Sequence, residues 1–327
     1  MWQLRYRMAM RIAAVVGSLA LVALTGTGCQ KPRGKPASIE LYTGYATPEN
    51  GVLYGRVSKG PPDPLPEPGQ STIQRIHETL QALDANALPL AAVEVTVAGH
   101  TLPAVSDDRG YLTVKLPAKL TPPQAPVELR LRQPGYDAAP VQGQVLVADG
   151  SPGLAVVSDV DDTLLDSQIT DRKKMIENAL TKSTWELAAF ADAPQVLGEL
   201  SRGLPVFYLS GSPWGFHARI SSYFQRVGFP EGTLVLKRFS REPLLDQMGF
   251  KYPHLRAIAD ALPNKKFVLF GDSGEKDPEI YARLRTELPS RVEKIYIHLV
   301  TSEPATSPRF AGMQTFTSWS ELRPKTP

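Results

Sequence analysis

The sequence predicts two domains of different class: an all-β sandwich over residues 39–149, then an α/β domain built on a parallel sheet over residues 154–322. Three observations carry this expectation. In the first half, short alternating apolar–polar stretches recur between Gly, Pro and Asp turns, the pattern of antiparallel strands. In the second half, short apolar runs alternate with longer stretches of helical spacing, which means βαβ units and a parallel sheet. Between the halves stands Gly150-Ser151-Pro152-Gly153, the composition of a linker over 150–153.

Composition agrees with a folded, two-domain chain. The 327 residues suffice for two domains, and 42% hydrophobic content supports packed cores. The formal net charge is +3, but Arg5, Arg7 and Arg11 lie in a segment expected to be removed, which leaves 33 basic against 33 acidic residues. A balanced mature chain argues against a nucleic-acid binder driven by overall charge. Thirty prolines point to many turns rather than long uninterrupted helices.

Residues 1–28 read as an export signal: a basic start, an apolar stretch from Ile12 to about Leu24, then Thr25-Gly26-Thr27-Gly28. The stretch is too short and wrongly flanked for a stable membrane span. Cys29 follows as the only cysteine, so no intrachain disulfide can form. A lone Cys after small residues resembles the lipobox of bacterial lipoproteins, although Gly26 stands where that family usually has Leu. The resemblance implies acylation at Cys29, a lipidated tether over residues 29–38, and an exported protein anchored at the periplasmic face of a membrane, possible at the outer one. Two acyl chains would hold it stably, where one is marginal. Without acylation the product would be exported and soluble.

Strands are expected at Ile39–Tyr42, Gly51–Val57, Val93–Ala98, Tyr111–Leu116, Val127–Leu131 and Gln144–Val147. The stretch from Val93 to Pro117 alternates about Asp108-Arg109-Gly110, which suggests a hairpin centred there. A proline-rich loop at 60–69 leads to a capping-box pattern, Ser71 with Gln74, and Ile73, Ile76, Leu80 and Leu83 then recur at helical spacing as core contacts. No catalytic constellation is visible in this half, and His77 and His100 read as surface residues. The second half gives strands at Ala155–Ser158, Pro205–Ser210, Thr233–Leu236, Lys266–Phe270 and Lys294–Val300, with helical patterns at Lys174–Phe190, Ala193–Leu200, Gly215–Val227 and Leu255–Ala261.

Three of these strands end in polar residues. LAVVS breaks into Asp159, Asp161, Asp162 and Thr163; PVFYL ends at Ser210 and Gly211; KKFVLFG ends at Asp272, with Asp277 just beyond. Open α/β sheets bind ligands beyond the carboxyl ends of their strands, so these tips converge on one edge. One acidic tip would pass as a helix cap. Clustered carboxylates need a cation or protons to coexist, and oxygen-only ligands suit a hard ion such as Mg²⁺. No histidine spacing suits a softer metal, and His217 and His298 read as structural.

The series DVDDT, a Ser after an apolar strand, and GDxxxxD resembles the motifs of haloacid-dehalogenase-like phosphatases. GSPW and GDSGEKDPEIY are similar, more specifically, to the catalytic domain of App1-type phosphatidate phosphatases, a relative of the lipin domain, over about residues 151–322. The resemblance implies a Rossmannoid parallel-sheet domain behind the sandwich. It implies that Asp159 attacks phosphorus to form an aspartyl phosphate and that Asp161 serves as acid, then base. Mg²⁺ would sit on Asp159, the backbone carbonyl of Asp161, Asp272 and Asp277, the last directly or through water. Thr163, Ser210 and the N–H of Gly211 would hold the substrate's phosphoryl oxygens. A Lys is needed before the last motif; Lys251 is the candidate, with His254 and Lys237 as alternatives.

The insert between the first two motifs, Asp166–Gly203, is short, which implies an open site suited to a headgroup at a membrane surface. Trp185, Trp214 and Phe216 are core residues or lipid contacts, the first being the commoner role of such rings. The expected reaction is phosphatidate to diacylglycerol, with a phospholipid substrate and no nucleic acid. Two rivals remain: another phosphomonoester (lysophosphatidate, a sugar phosphate, a phosphoprotein), or a non-catalytic lipoprotein that binds the envelope. Oligomeric state and the sandwich's ligand are not legible.

Overall fold

Several strands of the first sheet bury every second residue, whereas the second sheet is built on strands buried on both faces, and this difference separates the two halves. The computed structural model describes residues 34–62, 86–117, 119–166, 188–238 and 246–323. The expected export signal, Cys29, the helix after Ser71 with His77, most of the 174–190 helix and Trp185 lie outside the described residues.

The first sheet holds β1 (Lys35–Ala46), β2 (Gly51–Lys59), β3 (Ala92–Val97), β4 (His100–Val105), β5 (Tyr111–Leu116), β6 (Gln124–Leu131), β7 (Tyr136–Asp137) and β8 (Val141–Val147). Its order is β4-β3-β6-β8-β1-β2-β5, with β7 on the start of β1. Pairing is antiparallel except where β1 meets β7 and β8. Val93, Val95 and Val97 are buried while Glu94 and Thr96 between them are not, the alternation of a sheet with one face on a core.

The hairpin expected about Asp108-Arg109-Gly110 does not form. β3 instead turns into β4 through Ala98 and Gly99, both at positive φ (47° and 82°), the backbone of a two-residue hairpin turn. β5 pairs with β2. No strand is expected at β4, which carries Pro103; β4 is an edge strand, where a missing N–H costs nothing.

The second sheet holds β9 (Gly153–Ser158), β10 (Val206–Pro213), β11 (Thr233–Lys237), β12 (Lys265–Asp272), β13 (Val292–His298) and β14 (Gln314–Phe316). Helices α1 (Ala193–Leu200), α2 (His217–Val227), α3 (Gln247–Ala261) and α4 (Asp277–Glu287) alternate with them. Every pairing is parallel in the order β11-β10-β9-β12-β13-β14, so the strand order reverses at β9. Val206–Leu209 and all of β11 are buried, as expected of strands covered on both faces.

The sequence starts a helix at Leu255, but α3 begins at Gln247, so Lys251 lies inside it rather than before it. Asp246 caps this earlier start, its Oδ1 accepting from Gly249 N at 2.7 Å, and buried Phe250, Tyr252 and Leu255 hold the helix across Pro253. Tyr42, Tyr45, Tyr111 and Ala148 of the first half join the apolar core of the second. Among the described residues no helix is long and apolar enough to cross a membrane.

Candidate active site

The site forms where the strand order reverses, at the carboxyl end of β9. Asp159 N donates to Phe270 O at 2.9 Å, which carries the β9–β12 pairing one residue past the strand. The chain then turns sharply: Asp162 takes a left-handed conformation (φ 57°), and the N–H groups of Leu164 and Leu165 both reach Val160 O, at 2.9 and 3.0 Å. His298 Nδ1 lies 3.0 Å from Asp162 O and Trp319 Nε1 donates to Thr163 O at 3.0 Å, so both rings brace this turn. His298 is structural, as the sequence suggests. The Thr163 hydroxyl donates to Asp159 Oδ2 at 2.9 Å and so bears on the orientation of that carboxylate.

From α3, Lys251 enters a cluster of carboxylates. Its Nζ lies 2.7 Å from Asp159 Oδ1, 2.7 Å from Asp277 Oδ1 and 2.6 Å from Glu275 Oε2. Asp159, Asp277 and Lys251 are 1%, 0% and 2% exposed, so the charges are withdrawn from water. Asp277 Oδ2 accepts from Asp272 N at 3.2 Å, and Asp272 Oδ1 accepts from the N–H groups of Gly274 and Glu275 at 2.6 and 3.0 Å. Gly271 permits this closeness, because a Cβ there would stand 2.5 Å from that of Asp277. Lys237 and His254 serve elsewhere: Lys237 lies over the Phe250 ring and donates to Asp246 O, and His254 packs on Phe250. Of the three basic candidates, Lys251 is the one among the carboxylates.

The tip of β10 has a different chemistry. Ser210 Oγ donates to Asp161 Oδ2 at 2.7 Å, Ser212 Oγ lies 3.2 Å from the same oxygen, and Ser212 N donates to Ser210 Oγ at 2.9 Å. Gly211 is exposed, and among the described residues no atom beyond its own chain neighbours stands within 4 Å of where a Cβ would be.

These surroundings move the proton affinities. Burial lifts Asp159 and Asp272 well above the usual carboxylate range, and the neighbouring acids lift them further while Lys251 opposes. Burial also raises Asp277. For Lys251 burial acts downward, but Asp159, Asp277 and Glu275 outweigh it and hold the ammonium well above its ordinary value. Asp161 is pushed up to about 6 by burial, against the hydrogen bond from Ser210.

Asp159, Asp272, Glu275 and Asp277 each offer an oxygen within 4.8 Å of the others. Four carboxylates face one ammonium, and Asp272 Oδ2 is buried with no hydrogen-bond partner among the described residues. An orphaned oxygen in an acid-rich, oxygen-only set fits a hard divalent cation. The Asp161 carboxylate stands apart from this set, on the two serines. Glu275 and Ser212 were missed in the sequence. Their signal was present only as a further acid inside GDSGEKD and a second serine inside SGSPW.

Residues 154–299 match the model of the family described as phosphatidate phosphatase APP1, catalytic domain. This stretch is similar to App1-type catalytic domains. The chain is 26% identical over 211 residues to phosphatidate phosphatase APP1 of Saccharomyces cerevisiae, a match covering 62% of this chain and 35% of the yeast protein. It is 27% identical over 158 residues to an uncharacterised protein of Schizosaccharomyces pombe, covering 46% of this chain and 26% of that one. The matches thus span about a third of one relative's length and about a quarter of the other's. Among solved structures, a carbohydrate acetylesterase from Xanthomonas citri is similar at 11% identity and TM-score 0.29, over 81% of this chain and 68% of that one. That score carries no argument about the fold. The carboxylates, Lys251 and the two serines described above, from Asp159 to Asp277, lie inside the matched segment.

Proposed function

We propose that this chain is a Mg²⁺-dependent phosphomonoesterase acting through an aspartyl phosphate, and that its substrate is phosphatidate, cleaved to diacylglycerol and phosphate. The observation that carries the chemistry is the pair Asp159 and Asp161, two residues apart, one among buried charges and the other on neutral hydroxyls. The parallel sheet that reverses at β9 supports a haloacid-dehalogenase-like, Rossmannoid domain, and the alternating strands before it support a sandwich.

Asp159 attacks phosphorus with a carboxylate oxygen while Thr163 and Lys251 hold its orientation. The bond from phosphorus to the alkoxide breaks, and Asp161, with a proton affinity near pH 6, gives its proton to the leaving oxygen. Asp161 then takes a proton from water as that water attacks phosphorus, which frees Asp159 and phosphate. Ser210 and the Gly211 N–H, at the tip of β10, hold the phosphoryl oxygens. Asp159, Asp272 and Asp277 would hold Mg²⁺, which when bound neutralises charge between the carboxylates and the phosphoryl group.

The substrate class rests on the App1-type relationship. The test is phosphate release from phosphatidate in detergent micelles, with Mg²⁺ or EDTA, for residues 30–327 and for Asp159→Asn. Release that requires Mg²⁺ and disappears in the variant supports the whole reading. Turnover of an aryl phosphate without turnover of phosphatidate would remove the lipid and keep the chemistry. We further propose export and acylation at Cys29. Cys29→Ser should then move the protein from the membrane fraction to the soluble one.

A further inference from the structure

We propose that the first sheet is a working part of the phosphatase: Tyr42 sets the position of the phosphoryl-holding loop Ser210–Ser212 through Trp214. The inference rests on the reading of that loop as the phosphoryl cradle. It gives the N-terminal half a role in catalysis that does not depend on any ligand of its own.

The loop is an interruption in a strand. Along β10 and β11 the register passes from Leu209↔Val235 to Pro213↔Lys237, so Ser210, Gly211 and Ser212 together oppose the single residue Leu236. Such bulges re-aim side chains beside active sites. A three-residue bulge is only as well placed as its two ends. The Leu209 end is fixed inside the sheet, buried between neighbours. The other end runs through Pro213 directly into Trp214, whose ring is 2% exposed. Where that ring sits therefore decides where the bulge ends.

The ring sits on residues of the first sheet. Tyr42 stacks on Trp214 with centroids 4.9 Å apart and planes 11° from parallel, and Tyr54 of β2 lies 5.4 Å away. His217, one turn further, is 5.3 Å from Tyr42. Tyr42 reaches this place because it is itself a bulge. The β1–β2 register passes from Leu41↔Gly55 to Thr43↔Tyr54, leaving Tyr42 as the extra residue. Its ring packs in the core of the catalytic half, whereas Ile39 and Ala46 of the same strand pack in the core of their own sheet. Further bonds register the two halves nearby: Thr233 Oγ1 donates to Gly44 O at 3.4 Å, and Arg238 donates to Thr113.

The carboxylates proposed to hold the cation stand just beyond β9 (Asp159), at the end of β12 (Asp272) and at the start of α4 (Asp277), and none of them lies on the β10 bulge or belongs to the Tyr42–Trp214 stack. Disturbing Tyr42 should therefore weaken phosphoryl binding and spare metal affinity, a separation that a general loss of structure would not give.

The experiment compares the full chain with Tyr42→Leu, which keeps apolar bulk without the flat ring, and with Tyr42→Phe, which keeps the stack. Binding of orthovanadate and inorganic phosphate is measured by calorimetry in Mg²⁺, with the Mg²⁺ concentration for half-maximal aryl phosphatase activity beside it. Tyr42→Leu should bind both oxyanions about fivefold more weakly, a loss of about 1 kcal/mol and the scale of one stacked aromatic pair, with Mg²⁺ dependence unchanged. Tyr42→Phe should match the wild type. If Tyr42→Leu does not fold, Tyr54→Leu replaces it, with a smaller loss of the same kind. Unchanged oxyanion binding in the leucine variant, or an equal loss in Tyr42→Phe, or a shift in Mg²⁺ dependence, would overturn the proposal. A wild type that neither binds an oxyanion nor turns over an aryl phosphate would show that the phosphatase reading itself has failed, and the proposal with it.

Discussion

The tips of β9 and β10 lie side by side in the sheet but keep their carboxylates in opposite surroundings. Asp159, at the first, shares a buried Lys251 with Asp277 and Glu275, and its neighbour Asp272 leaves an oxygen unpartnered. Asp161 turns to the second tip, where two neutral serine hydroxyls meet it. The difference teaches how one short segment can supply two roles. A nucleophile has to stay ionised, which the cation-seeking cluster allows once its excess negative charge is met. An acid–base group has to change its charge near working pH, and a partly buried carboxyl with neutral donors does so at about 6.

The comparison breaks most decisively at the charged tip. Asp159→Asn should lower turnover by at least about 10⁴, in the range known for loss of a nucleophile, measured as phosphate release at saturating substrate. Lys251→Met should also destabilise the fold by about 3–5 kcal/mol, because it leaves a cluster of buried carboxylates without their cation. Denaturant unfolding in EDTA would show this, and added Mg²⁺ should recover part of the loss.

At the neutral tip the effect should depend on the leaving group. Asp161→Asn should cost about 10²–10⁴ with an alkyl phosphate and far less with an activated aryl phosphate, whose leaving group needs no proton. For the alkyl substrate, wild-type kcat/KM should fall as pH rises through about 6, where Asp161 loses its proton, and the variant should lack that limb. Ser212→Ala should move the limb upward, since a hydroxyl that stabilises the carboxylate is gone.

The smallest effect concerns His217, whose pKa burial lowers to about 3. Below its unfolded value near 6.5 the unfolded chain binds a proton that the folded chain does not. Stability should therefore fall as pH drops from about 6.5 toward 3, with His217→Phe showing a shallower decline in thermal melting.

The acids at strand ends were legible because three strands end in polar residues where a single acidic tip would have passed as a helix cap, and the parallel sheet was legible from its continuous apolar strands. Glu275 and Ser212 were not, because each stands between motif positions with no periodicity of its own. The start of α3 was hidden by Pro253, which reads as a stop unless the cap at Asp246 is weighed against it. The hairpin was misplaced because Ala98 takes a positive φ that its side chain does not advertise, while Gly110 offers a more conspicuous turn. Tyr42 looked like one more strand residue. Only the bulge in β1 shows that it belongs to the other half of the molecule.

Trapping the intermediate distinguishes an aspartyl phosphate at Asp159 from direct attack of water on phosphorus. Phosphatidate carrying labelled phosphate would be mixed with the protein in Mg²⁺, quenched in acid within one turnover, and the protein digested. Label on the peptide that contains Asp159, absent from Asp159→Asn and from an EDTA control, is the predicted result. Phosphate released at full rate with no label on the protein at any time would contradict it.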